Sequence, residues 1–165
     1  MVVDAAGRLS RRVPAVTRFG RLALLWMIPL NLVLVPWIWF GRIVFGVGGW
    51  FFLILAPVAL VVAIALAITT ILAFTQAGRP RSLTAVQAVL QSLTWLALLV
   101  FGTFMPDFGD APDSDLAFLT QVFGRSDALM DLSWSITLLA ALAAVLAWLA
   151  LLISLIAGRR DAAPA

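Results

Sequence analysis

The chain has 165 residues, a formal net charge of +3, a hydrophobic share of 64% and a mean hydropathy of +1.10. That apolar share is more than one small globular core can bury, so most of it requires lipid as its solvent. All 11 basic residues are Arg and all 8 acidic residues are Asp, and His and Cys are absent, which excludes disulfides, thiolate or imidazole metal sites and His or Cys catalysis.

The use of Arg, Asp and Ala without Lys or Glu points to a GC-rich, bacterial genome. A pI near 11.3 suggests nucleic acid in a soluble protein. Here the arginines lie beside apolar runs, where membrane topology requires them, and no nucleic-acid binding is expected.

Residues 1–21 form an Arg-rich segment with Arg8, Arg11, Arg12, Arg18 and Arg21. The apolar run that follows is longer than a signal-peptide core and has no small-residue cleavage site after it, so the first span, about 22–40, is expected to remain as an anchor. Pro29 and Pro36 lie two turns apart within it, and each removes a backbone donor, leaving the carbonyls of Leu25 and Leu32 without their usual partners. Kinks are predicted at both, with the kinked face turned toward protein; Asn31 falls on the opposite face, near mid-membrane.

GRIVFGVGG, residues 41–49, reads as a short tight connection. The second span, about 50–76, holds a third kink site at Pro57, a small-residue stripe at Ala59, Ala63 and Ala67, and Thr69 and Thr70 toward its end. Arg79 and Arg81 precede the third span, about 84–105. In this span Thr84, Gln87, Gln91 and Thr94 fall on one helical face.

Asn31, Thr69, Thr70, Gln87, Gln91 and Thr94 thus form a candidate intramembrane polar cluster, with Asn31 and Gln91 expected to reach each other or Thr70. Interhelical hydrogen bonding is the plain role for such groups, and a narrow polar pathway is the alternative. Ion-coupled carriers place an ionisable group in the membrane, and none lies inside these spans.

The loop 106–129 carries Asp107, Asp110, Asp113 and Asp115. Their spacing does not match a calcium-binding loop, so a solvated acidic loop with no metal is expected. Asp113 or Ser114 is placed to cap a short amphipathic helix starting at Asp115, with Leu116, Leu119, Val122 and Phe123 as its apolar face; Ser126 then starts the last helix. The fourth span, about 130–157, has a stripe of Ala143, Ala147, Ala150 and Ser154, and a tail of 158–165 follows with Arg159 and Arg160. Trp37, Trp39, Phe40, Trp50, Phe51 and Trp134 read as an aromatic belt at one membrane interface.

The expected fold is therefore all-α: an integral-membrane four-transmembrane-helix bundle over 22–157, with a short amphipathic helix in the outer loop. Only Arg42 and Arg125 fall on the far side of the spans, which places both termini in the cytoplasm of a plasma (inner) membrane protein. No phosphate-binding, acyl-transfer or metal-hydrolase motif is present, and neither enzyme activity nor a cofactor is expected. The expected role is an accessory, scaffolding or assembly component whose partners are the lipid bilayer and another membrane protein or a second copy. A small transporter or channel using Asn31 and the span-three stripe is the rival reading, and an enzyme built on the loop aspartates is a distant third.

Overall fold

The computed structural model describes residues 2–3, 9–10, 17–76, 81–110 and 116–160, with side chains within 17–158. Arg8, Arg11, Arg12, Arg79, Asp113, Ser114, Asp115 and the tail beyond Arg160 lie outside the described residues. Two short strands, β1 (Val2–Val3) and β2 (Leu9–Ser10), pair antiparallel with Val2 opposite Ser10. All the other regular structure described is helical.

Helix α1, Arg18–Phe40, starts where the Thr17 hydroxyl accepts from the Gly20 N–H at 3.0 Å, and it runs into a 3-10 turn over Gly41–Phe45. Gly46 ends that turn at φ 76°, a left-handed conformation that favours glycine. Helix α2 is Phe51–Phe74 and α3 is Ala85–Phe104. At the start of α3 the Thr84 hydroxyl accepts from Gln87 N while Gln87 Oε1 accepts from Thr84 N, a reciprocal cap. A short α4, Phe118–Phe123, precedes α5, Asp127–Arg160. Four helices, α1 with its 3-10 extension, α2, α3 and α5, are long and apolar enough to cross a membrane.

The most extensive contact joins α3 to α5; α1 lies against both α3 and α2, and the α2–α5 contact is the slightest. Around the bundle the order is thus α2, α1, α3, α5. One end carries the α1–α2 connection and residues 105–110 and 116–126, here called the loop end; the other, the terminal end, holds the start of α1 and the close of α5. At the terminal end Leu83 N donates to Gly20 O at 3.3 Å, and a Cβ on Gly20 would collide with the Leu83 carbonyl, so this approach requires glycine.

The buried seam of α1 is Gly20, Leu24, Met27, Asn31, Leu34 and Ile38; that of α5 is Ser133, Thr137, Ala140, Ala144, Ala147, Leu151 and Leu155. The α1 seam alternates steps of four and three residues, and the α5 seam does so as far as Leu151, the 3.5-residue repeat expected of left-handed helix packing. Large aliphatics such as Leu25, Leu32, Leu60, Leu138 and Leu139 point outward. The interior is thus apolar as well, with Met27, Ile38, Leu66, Leu151 and Leu155 fully buried, and the buried polar side chains Asn31, Thr69, Gln87, Gln91 and Thr94 are set among them, while the exterior stays apolar as a lipid-facing surface requires.

Three sequence expectations are corrected. The small-residue stripes match the packing lines only in part: Ala59 and Ala147 are buried, but Ala67 and Ala143 are exposed, and the α5 line runs through Ala140, Ala144 and Ala147. In α2 the strict four-residue step from Ala59 drifts by about 40° per step and leaves the buried face by Ala67, whereas the α5 stripe has the right spacing but is rotated off the seam at Ala143. Pro29, Pro36 and Pro57 all lie on exposed faces, not against protein, and α1 and α2 continue through them. Helices curve with their convex side away from the core, and a missing donor is best accommodated on that side. Helix α4 starts at Phe118, not Asp115, and buries Leu119 and Thr120 while exposing Val122 and Phe123, because Leu116 is taken up in a backbone bridge with Asp107.

Candidate functional site

The mid-membrane polar groups form one interhelical cluster and several isolated contacts. Asn31 projects from the α1 seam, its amide nitrogen donating to Thr70 Oγ1 of α2 at 2.9 Å and its oxygen accepting from Trp95 Nε1 of α3 at 2.8 Å. Thr70 passes its own proton to Leu66 O at 2.7 Å. A single amide thus ties three helices together.

The other predicted cluster members stay apart from it. Thr69 and Thr94, both buried, donate to carbonyls of their own helices, Leu66 O and Leu90 O. Gln87 combines the α3 cap with a reach across to Ser154 O of α5 at 3.3 Å. Gln91 is fully buried, yet among the described residues neither its amide oxygen nor its amide nitrogen has a partner. The expected link from Gln91 to Asn31 or Thr70 is not made: Trp95, one turn further along α3, holds Asn31 instead.

Tryptophans do more than mark an interface. Five of the seven indoles donate hydrogen bonds across elements: Trp37 to Leu99 O, Trp39 to Phe52 O, Trp50 to Asp110 Oδ1, Trp95 to Asn31, and Trp148 to Ala65 O. The sequence signal was available for Trp95 and Trp148. Both lie well inside their spans, far from a headgroup belt, and a buried indole N–H needs an acceptor.

At the loop end the structure assembles a site that the sequence reading treated as plain loop. Arg42, in the 3-10 turn, and Asp107, just beyond α3, are both fully buried and form the one ion pair among the described residues, Arg42 Nε donating to Asp107 Oδ2 at 2.9 Å. Asp107 Oδ1 accepts from Phe51 N and Phe108 N, each at 2.9 Å, so the carboxylate also closes the first turn of α2. The Asp107 backbone exchanges two hydrogen bonds with Leu116, and Trp50 N donates to Phe108 O. The two loops are thereby stitched together. Asp107 is not a solvated acidic residue, because α2 would otherwise begin with unsatisfied donors beside a buried guanidinium.

Rings surround this end: Phe45 meets Phe118 at 4.7 Å, Phe104 meets Phe118 at 5.2 Å, and Phe51 contacts both Phe108 and Trp134. Elsewhere the recesses are apolar. A groove of about 630 Å³ lies between α3 and α5 over Ala97, Ala140 and Ala147, and one of about 240 Å³ lies between α1 and α2 beside Asn31 and Thr70. A third recess, about 220 Å³, sits at the α2–α5 edge beneath Trp148. Among the described residues no group of three or more His, Cys, Asp or Glu could hold a metal ion.

No protein-family model matches the chain, and neither curated proteins nor solved structures give a significant match.

Proposed function

We propose that the chain is a non-enzymatic component of a bacterial plasma membrane, an accessory, scaffolding or assembly protein, with both termini in the cytoplasm and the loop end outside. The observation that carries this reading is the fate of the mid-membrane polar groups. Asn31, Thr70 and Trp95 saturate one another, Thr69 and Thr94 bond to their own helices, and Gln87 serves as a cap and an interhelical tie. The bonds of Asn31, Trp95 and Gln87 join helices, and Gln91 is the one cluster member left without a partner among the described residues, which is a single free amide and not a succession of polar groups that could conduct a solute.

The orientation rests on the arginines. Arg18, Arg21 and Arg81 lie at the terminal end, whereas at the loop end Arg42 is buried in an ion pair and Arg125 stands outside it. The exposed aliphatic faces and the α3–α5 groove give lipid, another membrane protein or a second copy an apolar surface to meet.

Purification in native lipid followed by identification of co-isolating proteins tests the role: a stoichiometric membrane-protein partner supports it. A self-contained oligomer that is stabilised by one particular solute would replace it with the transporter reading. Orientation is tested separately, using the absence of native Cys. Gly48→Cys should react with an impermeant reagent added outside intact cells, and a cysteine appended at the C-terminus should not; the reverse pattern refutes the orientation.

A further inference from the structure

The guanidinium of Arg42 is fully buried, and only its inner nitrogen is used: Nε donates to Asp107 Oδ2, while Nη1 and Nη2 have no hydrogen-bond partner among the described residues. Arginine cannot shed its charge to escape burial, so its terminal donors require an acceptor more strongly than a neutral amide does. The choice of bonded atom also matters. Asp107 could have taken the guanidinium side-on with both oxygens, but its Oδ1 is held by the N–H groups of Phe51 and Phe108. Locked in this way, the carboxylate fixes the orientation of the arginine and leaves free the edge formed by Nη1 and Nη2. That edge is the planar two-donor fork that suits the paired oxygens of an oxyanion.

We propose that the free Nη1–Nη2 edge of Arg42 is a receptor for a phosphate group, presented by the headgroup of a phospholipid or free in solution, with Asp107 as its positioning residue. Two observations favour an anion. The charge of Asp107 is already shared with two backbone donors at the N-terminus of α2, where the helix dipole is positive, so the guanidinium is not fully neutralised by its partner. The level in the membrane also fits. Trp39 packs against Phe40 and Phe52, and Phe51 meets Phe108 and Trp134 edge to face, and aromatic girdles of this kind sit at headgroup depth.

Because Arg42 is closed off, admission requires its cover to part. The turn that carries it is covered by α4 through the Phe45–Phe118 ring contact, and α4 is only six residues long and ends at Gly124, whose φ is 93°.

The test uses the full chain in phosphate-free maltoside detergent with ¹⁵N-labelled arginine; the Arg42 side-chain signals are assigned by their loss in Arg42→Lys. Short-chain phosphatidylglycerol and inorganic phosphate are titrated separately, with the Arg125 signals as an internal control. A saturable shift of the Arg42 Nη signals with the lipid alone assigns the site to a headgroup, and a shift with inorganic phosphate assigns it to the free anion. In either case Arg42→Lys, which keeps the charge and loses the fork, should weaken binding about tenfold, monitored by ³¹P signals of the ligand. The proposal is overturned if neither ligand shifts Arg42, if Arg125 shifts equally, or if the Nη protons exchange magnetisation only with water. Should Arg42→Lys not fold, through-bond correlation to the backbone in uniformly ¹³C,¹⁵N-labelled wild-type chain assigns the Arg42 signals instead, so the decisive reading does not depend on the variant.

Discussion

Gln91 and Asn31 are both buried amides in the same bundle, and substituting them should move stability in opposite directions. Gln91 has no hydrogen-bond partner on either amide atom, and burying an unsatisfied polar group costs about 1–3 kcal/mol. Gln91→Met keeps the unbranched shape and nearly the same volume, so it opens no cavity and removes only the penalty. The unfolded chain in detergent also leaves the amide poorly solvated, which places the expected gain at the low end, about 1 kcal/mol. Asn31→Leu deletes the bonds to Thr70 and from Trp95 and strands the indole N–H. With about 0.6 kcal/mol for an average interhelical bond in membranes and up to about 1.7 for the strongest, the loss should be about 1–2 kcal/mol. Reversible unfolding in mixed micelles, followed by far-UV circular dichroism, measures both. The two sites share no partner, so the double mutant should be additive within about 0.5 kcal/mol. A destabilised Gln91→Met would refute the reasoning, since it would mean that the amide holds something in the native protein.

Trp148→Phe should cost about 0.6–1.5 kcal/mol in the same assay and loosen α2 in particular, detected as faster amide exchange around Ala65, because it removes the indole bond across the slightest helix contact. Pro36→Ala should be neutral or mildly stabilising: the ring faces outward, and alanine restores a donor to the Leu32 carbonyl, so a loss of more than about 1 kcal/mol would show that the proline fixes the helix path. Asp107→Ala should cost about 3–5 kcal/mol by leaving Arg42 charged and alone, in addition to stranding the N–H groups of Phe51 and Phe108, while Asp107→Leu combined with Arg42→Met should recover the part due to the lone charge; equal losses in single and double variants would deny the pairing.

The membrane class, the number of spans and the polar residues that face inward were all legible from the sequence. Length and apolar composition determine the first two. An amide in hydrocarbon must turn inward, which located Asn31, Gln87 and Gln91 correctly in the interior. Partner choice was legible only in part: Asn31 meets Thr70 as expected, whereas Gln91 meets neither. Whether Asn31 meets Gln91 or Trp95, which share nearly one face of α3, depends on the position of α3 along its axis by one turn, about 6 Å, and apolar periodicity reports which face is buried but not that axial register. The buried ion pair was missed for a related reason. Arg42 and Asp107 are 65 positions apart, each at a span end where a lone charge is ordinary, and nothing local indicates that two loops close over them.

What fixes the order of the helices follows from the solvent. In lipid no apolar face prefers another helix to an acyl chain, so neighbours must be selected by close fit and directional bonds. Each of the four contacting helix pairs is crossed by at least one side-chain hydrogen bond: Asn31 to Thr70 and Trp39 to Phe52 O for α1–α2, Trp95 to Asn31 and Trp37 to Leu99 O for α1–α3, Gln87 to Ser154 O for α3–α5, and Trp148 to Ala65 O for α2–α5. None of these bonds crosses a diagonal of the bundle. Four of the six donors are indoles, which bring a large contact area and one N–H that must find an oxygen. A bundle with its tryptophans replaced by phenylalanine would keep its apolar surface and its capacity to insert. It would lose the contacts that distinguish this arrangement from others of equal burial.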